Sequence, residues 1–211
     1  MRTMVYIAGL FVSINAIAEN RVAVIDTGIN VNNKNRPYLC KDGHEDFTGY
    51  GMSDKIGHGT EVVQLIIETA KSKNFCIVVL KFWEEEISTE QAISATVAAF
   101  EKVKRLGIRL VNYSASGNSK SPLEELFIST NPRIMFVVAA GNEGVDLDLN
   151  PRYPASYNYS NVIAVGALNR FGTRHRVSNY GERVKNWETA NATSFATAIK
   201  TGKIIKTTFG Q

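Results

Sequence analysis

Short apolar runs alternate with segments of helical spacing along most of this chain. Arg21–Ile25, Phe75–Phe82, Ile108–Tyr113, Ile134–Ala139 and Val162–Leu168 are dense in Val, Ile, Leu and Phe. Runs of that kind suit strands of a parallel sheet, buried on both faces. Between the first two, Val62, Val63, Leu65, Ile66 and Ile67 leave few polar faces and predict an internal helix. Ser88-Thr89-Glu90-Gln91 is a capping box. Ile93, Val97, Phe100 and Val103 then repeat at helical spacing until Gly107 stops the helix. Ser121-Pro122 opens a short helix carrying Leu123, Leu126 and Phe127. A short extended piece is expected around Val177, and a last helix starts at or beside Ser194. Strands alternating with helices predict an α/β fold: a doubly wound, mostly parallel sheet with helices on both faces. No repeat, low-complexity tract or linker interrupts the pattern, so residues 19–211 are expected to form one domain.

The first eighteen residues differ. Arg2 is their only charge, Val5 to Ile14 is apolar, and Ala16-Ile17-Ala18 is a small-x-small pattern. Residues 1–18 read as a signal peptide cut before Glu19. The apolar run is short for a bilayer-spanning anchor. A buried N-terminal strand or an uncleaved anchor is the other reading of the same residues. A cleaved signal implies a secreted or periplasmic protein with no stable membrane anchor, expected here as a monomer. The formal net charge of +4 over 211 residues is spread out, without a Lys/Arg run or interleaved aromatics, so no nucleic-acid partner is expected. In an exported chain the two cysteines, Cys40 and Cys76, permit one disulfide, the alternative being two unrelated thiols. No Cys or His lies at metal-ligand spacing to either, so no metal site is expected.

Four polar groups stand at strand ends or helix starts. Asp26 closes the first strand in Asp26-Thr27-Gly28, where α/β folds place their sites. His58 opens the internal helix in Gly57-His58-Gly59-Thr60, Asn142 follows the fourth strand in Ala139-Ala140-Gly141-Asn142-Glu143-Gly144, and Ser194 begins the last helix in Thr193-Ser194-Phe195-Ala196. A helix start favours developing negative charge. Each group alone has a plainer reading as turn, structural imidazole or cap. His44 and His175 lack such settings and read as surface residues.

Taken together and in this order, these motifs resemble those of the subtilisin-like serine peptidases, the subtilase family (peptidase family S8). Tyr153-Pro154-Ala155 and Val162-Ile163-Ala164-Val165-Gly166-Ala167 are similar to the family's segment between its Asn and Ser motifs. The resemblance implies a secreted serine endopeptidase that acts on extended polypeptide; no cofactor is expected, because the family's calcium site is expected to be missing. It implies Ser194 as nucleophile, His58 as general base and acid, Asp26 as the orienting acid and Asn142 as oxyanion donor. It also implies substrate contacts at Ser114, Ala115, Ser116, Gly117, Ala140 and Gly141, the first four as a strand that pairs with the peptide. Arg152, beside Tyr153-Pro154, falls where the family builds its primary specificity pocket, and a cation there would favour an acidic residue; a solvent-exposed loop arginine is the plainer reading.

The chain departs from the family at Ala192 (usually Gly), Ala198 (usually Pro) and Glu61 (usually His). A propeptide and the family's tight calcium site are expected to be missing, with a Cys40–Cys76 bridge stabilising the chain instead. Those departures motivate a second reading, a catalytically weak or inactive relative kept as a peptide-binding module. An aspartic peptidase is disfavoured, because Asp-Thr-Gly occurs once and the length fits neither form of that class.

Overall fold

The Val-Ala-Val-Ile run becomes the middle of the sheet because its two faces are both apolar. A computed structural model describes residues 20–210; the expected signal segment lies outside them. The strands are β1 (Arg21–Asp26), β2 (Glu45–Asp46), β3 (Cys76–Lys81), β4 (Leu110–Tyr113), β5 (Met135–Ala139), β6 (Val162–Leu168) and β7 (Asn186–Thr189). The helices are α1 (His58–Ala70), α2 (Thr89–Arg105), α3 (Pro122–Thr130) and α4 (Thr193–Phe209). The sheet runs β2-β3-β1-β4-β5-β6-β7, and every strand pair in it is parallel. The order reverses at β1, so the carboxyl ends of β1 and β4 flank the crevice where doubly wound sheets hold ligands.

The period of two along β1 splits the core. Ala23 and Ile25 face the layer of α2 and α3, with Phe100, Val103, Phe127 and Ile128. Val22 and Val24 face α1 and α4, with Val62, Ile66, Ala198 and Ile205. The capping box of α2 forms in full: Ser88 Oγ accepts from Gln91 N, and the Gln91 side chain accepts from Ser88 N.

Two expectations change. Val177 sits in a turn, and the extended edge strand comes later, as β7. Its sequence, Asn-Trp-Glu-Thr, carries no apolar run because it pairs on one side only. The opposite edge, β2, is two residues long and equally silent as a pattern. His44 is a half-buried structural residue rather than a surface one. Its Nδ1 accepts from Val79 N–H at 3.0 Å and its Nε2 bonds Cys40 O at 2.9 Å, stitching the segment before β2 onto β3.

Cys40 and Cys76 form a disulfide, 36 residues apart and both buried. It ties the loop before β2 to the first residue of β3. Closing a loop of that size is worth about 2–4 kcal/mol in the chain-entropy account. Reduction in a thermal melt should therefore lower the midpoint by roughly 5–15 °C. A midpoint unchanged by reductant would show that the bridge adds no stability.

Candidate active site

Asp26 continues the Val22–Val24 face of β1, so its carboxylate points toward α1 and α4. It is 2% exposed. Its Oδ1 accepts from His58 Nδ1 at 2.6 Å and from Thr27 N–H at 2.8 Å. Its Oδ2 is sealed from solvent and has no partner. A carboxylate left partly unquenched in a low-dielectric site interacts strongly with an adjacent imidazolium. The close approach of α1 depends on Gly59, where a Cβ would stand 2.4 Å from Gly28 O and 3.2 Å from Asp26 Cβ.

Asp54 holds His58 in place, and the sequence reading missed it. The N-cap of α1 is Gly57, with φ +85°, which has no side chain to cap the helix. Asp54, 2% exposed, does that work: Oδ1 accepts from Gly57 N and Thr27 Oγ1, and Oδ2 from Thr60 N and Thr60 Oγ1, all within 2.8 Å. Burial opposes the charged form of Asp54, but the bonds from Thr60, Thr27 and Gly57 outweigh it and hold the carboxyl below its usual range. The available signal was an acid just ahead of a glycine that cannot cap. Burial likewise disfavours a charged His58, yet the bond and charge of Asp26, with the charges of Asp54 and Glu61, raise its pKa above the ordinary 6.5.

Ser194 is the second residue of α4, 9% exposed. Ala192, the N-cap, lies at φ −150°, ψ 158°, extended backbone that alanine adopts without strain. Ala198 is buried within an uninterrupted helix. The serine's own backbone is clamped from below: Ser114 Oγ donates to Ser194 O at 3.0 Å and accepts from Asn112 Nδ2, whose Oδ1 accepts from Thr201. These are buried polar groups with partners, the arrangement that rigidifies a site. The Ser194 hydroxyl donates to Ser114 O at 3.0 Å rather than to His58. The two elements nevertheless meet, since the rings of His58 and Phe195 lie 5.8 Å apart.

Asn142 Oδ1 accepts from Thr193 N and Thr193 Oγ1, at 2.9 and 3.0 Å, so the oxygen is engaged and the amide Nδ2 is left to donate. A second asparagine holds the loop that carries it. Asn179, fully buried, donates through Nδ2 to Ala140 O and Glu143 Oε2, and through Oδ1 accepts from Glu143 N and Val145 N. Nothing in the sequence pattern marks Asn179. Gly141 packs against the same residue; at φ +100°, a Cβ there would stand 2.4 Å from Asn179 Nδ2.

The remaining expected contacts divide. Gly117 exchanges both backbone hydrogen bonds with Tyr153, and the Ser114 carbonyl holds Ser194. The open edge is thus narrowed to Ala115 and Ser116, whose main chains pair with nothing among the described residues. A cleft of about 510 Å³ is lined by residues that include Asp26, His58, Ser114–Gly117 and Tyr153, and its lining omits Ala140, Gly141 and Arg152. Arg152 is turned toward Glu143, Nε to Oε2 3.7 Å, so part of its charge is already met. Among the described residues no group of three or more His, Cys, Asp or Glu side chains converges as a metal site would.

The family model of the Subtilase family matches residues 19–206. Subtilisin-like protease 2 of Trichophyton tonsurans is 34% identical over 173 residues, covering 78% of this chain and 40% of its own length. The chain thus spans about two fifths of the curated relatives it matches. Among solved structures, a lanthipeptide protease superposes with TM-score 0.77 at 16% identity, over 90% of this chain and 72% of that one. The nisin leader peptidase NisP from Lactococcus lactis superposes with TM-score 0.73 at 17% identity, over 92% and 78%. At those identities the structures speak for the subtilisin-like fold alone.

Proposed function

The chain belongs to the subtilase family, and from that premise we propose that it is a serine endopeptidase acting on extended polypeptide. The observation that carries the proposal is the 2.6 Å bond between Asp26 and His58 Nδ1, on a helix whose first residue packs beside Ser194's neighbour Phe195. With Nδ1–H donated to Asp26, the free Nε2 is an acceptor, the tautomer a general base requires. A peptide paired along Ala115 and Ser116 brings its carbonyl to the start of α4. The Ser194 hydroxyl rotates from Ser114 O toward His58, loses its proton to Nε2 and attacks the carbonyl carbon. Catalytic hydrogen bonds commonly tighten only once substrate is bound. Asn142 Nδ2 and the Ser194 N–H receive the oxyanion. His58 then protonates the departing amine, the C–N bond breaks, and water releases the acyl group by the reverse proton path.

The disulfide supports a secreted or periplasmic location, because such bonds persist in oxidising compartments. No helix among the described residues is long and apolar enough to cross a membrane. The proposal needs no cofactor and takes the working unit as a monomer. A serine-directed fluorophosphonate is expected to label the purified protein at pH 8, and Ser194→Ala is expected to abolish the label. Labelling equal in both proteins, or in neither, would overturn the assignment.

A further inference from the structure

The cleft lining includes a carboxylate that the proposed chemistry does not use. Glu124, on α3, is 6% exposed and lines the same 510 Å³ space as His58. Its Oε2 lies 3.1 Å from the Tyr157 hydroxyl. That hydroxyl lies equally 3.1 Å from Ser121 O, so one proton faces two acceptors whenever Glu124 is ionised. Oε1 makes no hydrogen bond, yet it is not sealed, since the sole sealed, partnerless side-chain atom among the described residues is Asp26 Oδ2. It is therefore not sealed, and Glu124 is among the residues that line the cleft. No ion pair to Glu124 forms among the described residues, whereas its neighbour Glu125 is paired with Lys120 at 2.8 Å. Burial pushes the Glu124 carboxyl up to about 7, against the bond from Tyr157. A buried acid without a cation is a costly arrangement, and a cation that fills the space relieves it.

The walls fit the same guest. Phe82, Trp83 and Ile93 line the approach, and the Tyr113 ring stands edge-on to Phe82 at 5.3 Å. Apolar and aromatic walls accept the alkyl stem of a long basic side chain and favour its charged head, and a carboxylate in the same lining meets that charge. We propose that this arm of the cleft binds a lysine or arginine side chain of the substrate, with Glu124 as its counter-ion. The inference rests on the peptide-hydrolase reading, and it makes the enzyme selective for a basic residue at one position of the bound segment.

The test is made on the Ser194→Ala protein, so that it does not depend on turnover. Acetylated hexapeptides carrying lysine or norleucine at each position in turn are titrated against it, with Trp83 fluorescence as the signal. At one position the lysine peptide is expected to bind at least tenfold more tightly, the scale of a desolvated charge pair. Adding Glu124→Gln, which keeps the size and the bond to Tyr157, should bring the two peptides within about threefold. Adding Glu124→Leu should reverse the order in favour of norleucine. Equal binding of both peptides at every position, or a lysine preference that survives Glu124→Gln, would overturn the proposal. Failure of fluorophosphonate labelling in the parent protein would instead count against the peptidase reading and leave these affinities as an independent result.

Discussion

Replacing Ser194 by alanine is expected to lower kcat about 10⁶-fold, with little change in KM. The magnitude is that of the same removal in subtilisin, the reference case of this family. The substitution deletes the proposed nucleophile and leaves everything that holds it. Ser194's carbonyl remains clamped by Ser114 Oγ, and the N-cap at Ala192 is untouched. The folded state loses only the hydroxyl's bond to Ser114 O, worth about 1 kcal/mol. Stability and rate should therefore separate: a melting midpoint within a few degrees of the parent, and turnover of a chromogenic peptide near background. A variant that keeps more than a hundredth of the parental kcat would show that Ser194 is not the attacking group.

Asp26→Asn is expected to cost about 10⁴-fold in kcat, the scale measured when the orienting acid of a Ser-His-Asp triad is replaced by its amide. The amide can donate to His58 Nδ1, and the proton then moves to Nε2, where it blocks acceptance from Ser194. The substitution should also change the pH profile. In the parent, Asp26, Asp54 and Glu61 hold the His58 pKa above 6.5 against the effect of burial. The base works only when neutral, so the rate is lost below that raised pKa and recovered above it. Without the Asp26 charge, burial gains weight and the acid limb of kcat/KM should move to lower pH. A variant within tenfold of the parent, or an unmoved acid limb, would argue that the Asp26–His58 bond is structural only.

Much of this architecture is legible in the linear pattern. The Val-rich runs became β1, β3, β4, β5 and β6 with bounds close to those expected, because a strand covered on both faces must be apolar throughout. The capping box at Ser88 and the Pro after Ser121 mark α2 and α3 by chemistry confined to one helical turn. Edge strands were not legible. β2 and β7 have neighbours on one side only, so their sequences carry no corresponding signal. The concern raised by Ala192 and Ala198 also required the fold to answer: one takes an extended backbone open to any residue, and the other continues the helix where a proline would remove a donor.

Asp26, His58, Asn142 and Ser194 stand out in the sequence for one reason: each closes a strand or opens a helix, and periodicity reveals such junctions. Asp54, Asn179 and Glu124 do not. Asp54 meets Thr27 across 27 residues, Asn179 meets Ala140 across 39, and Glu124 meets Tyr157 across 33. Local spacing carries no information about which distant segment will cross a given side chain. The chain by itself determined the sheet, its covering helices and the order of the four candidate groups, since burial requires apolar runs of defined period. The tertiary structure decided which polar residues hold those groups and which carboxylate is left unpaired in the cleft. Hydrogen bonding and desolvation depend on what the fold brings alongside, and for these residues that comes from elsewhere in the chain.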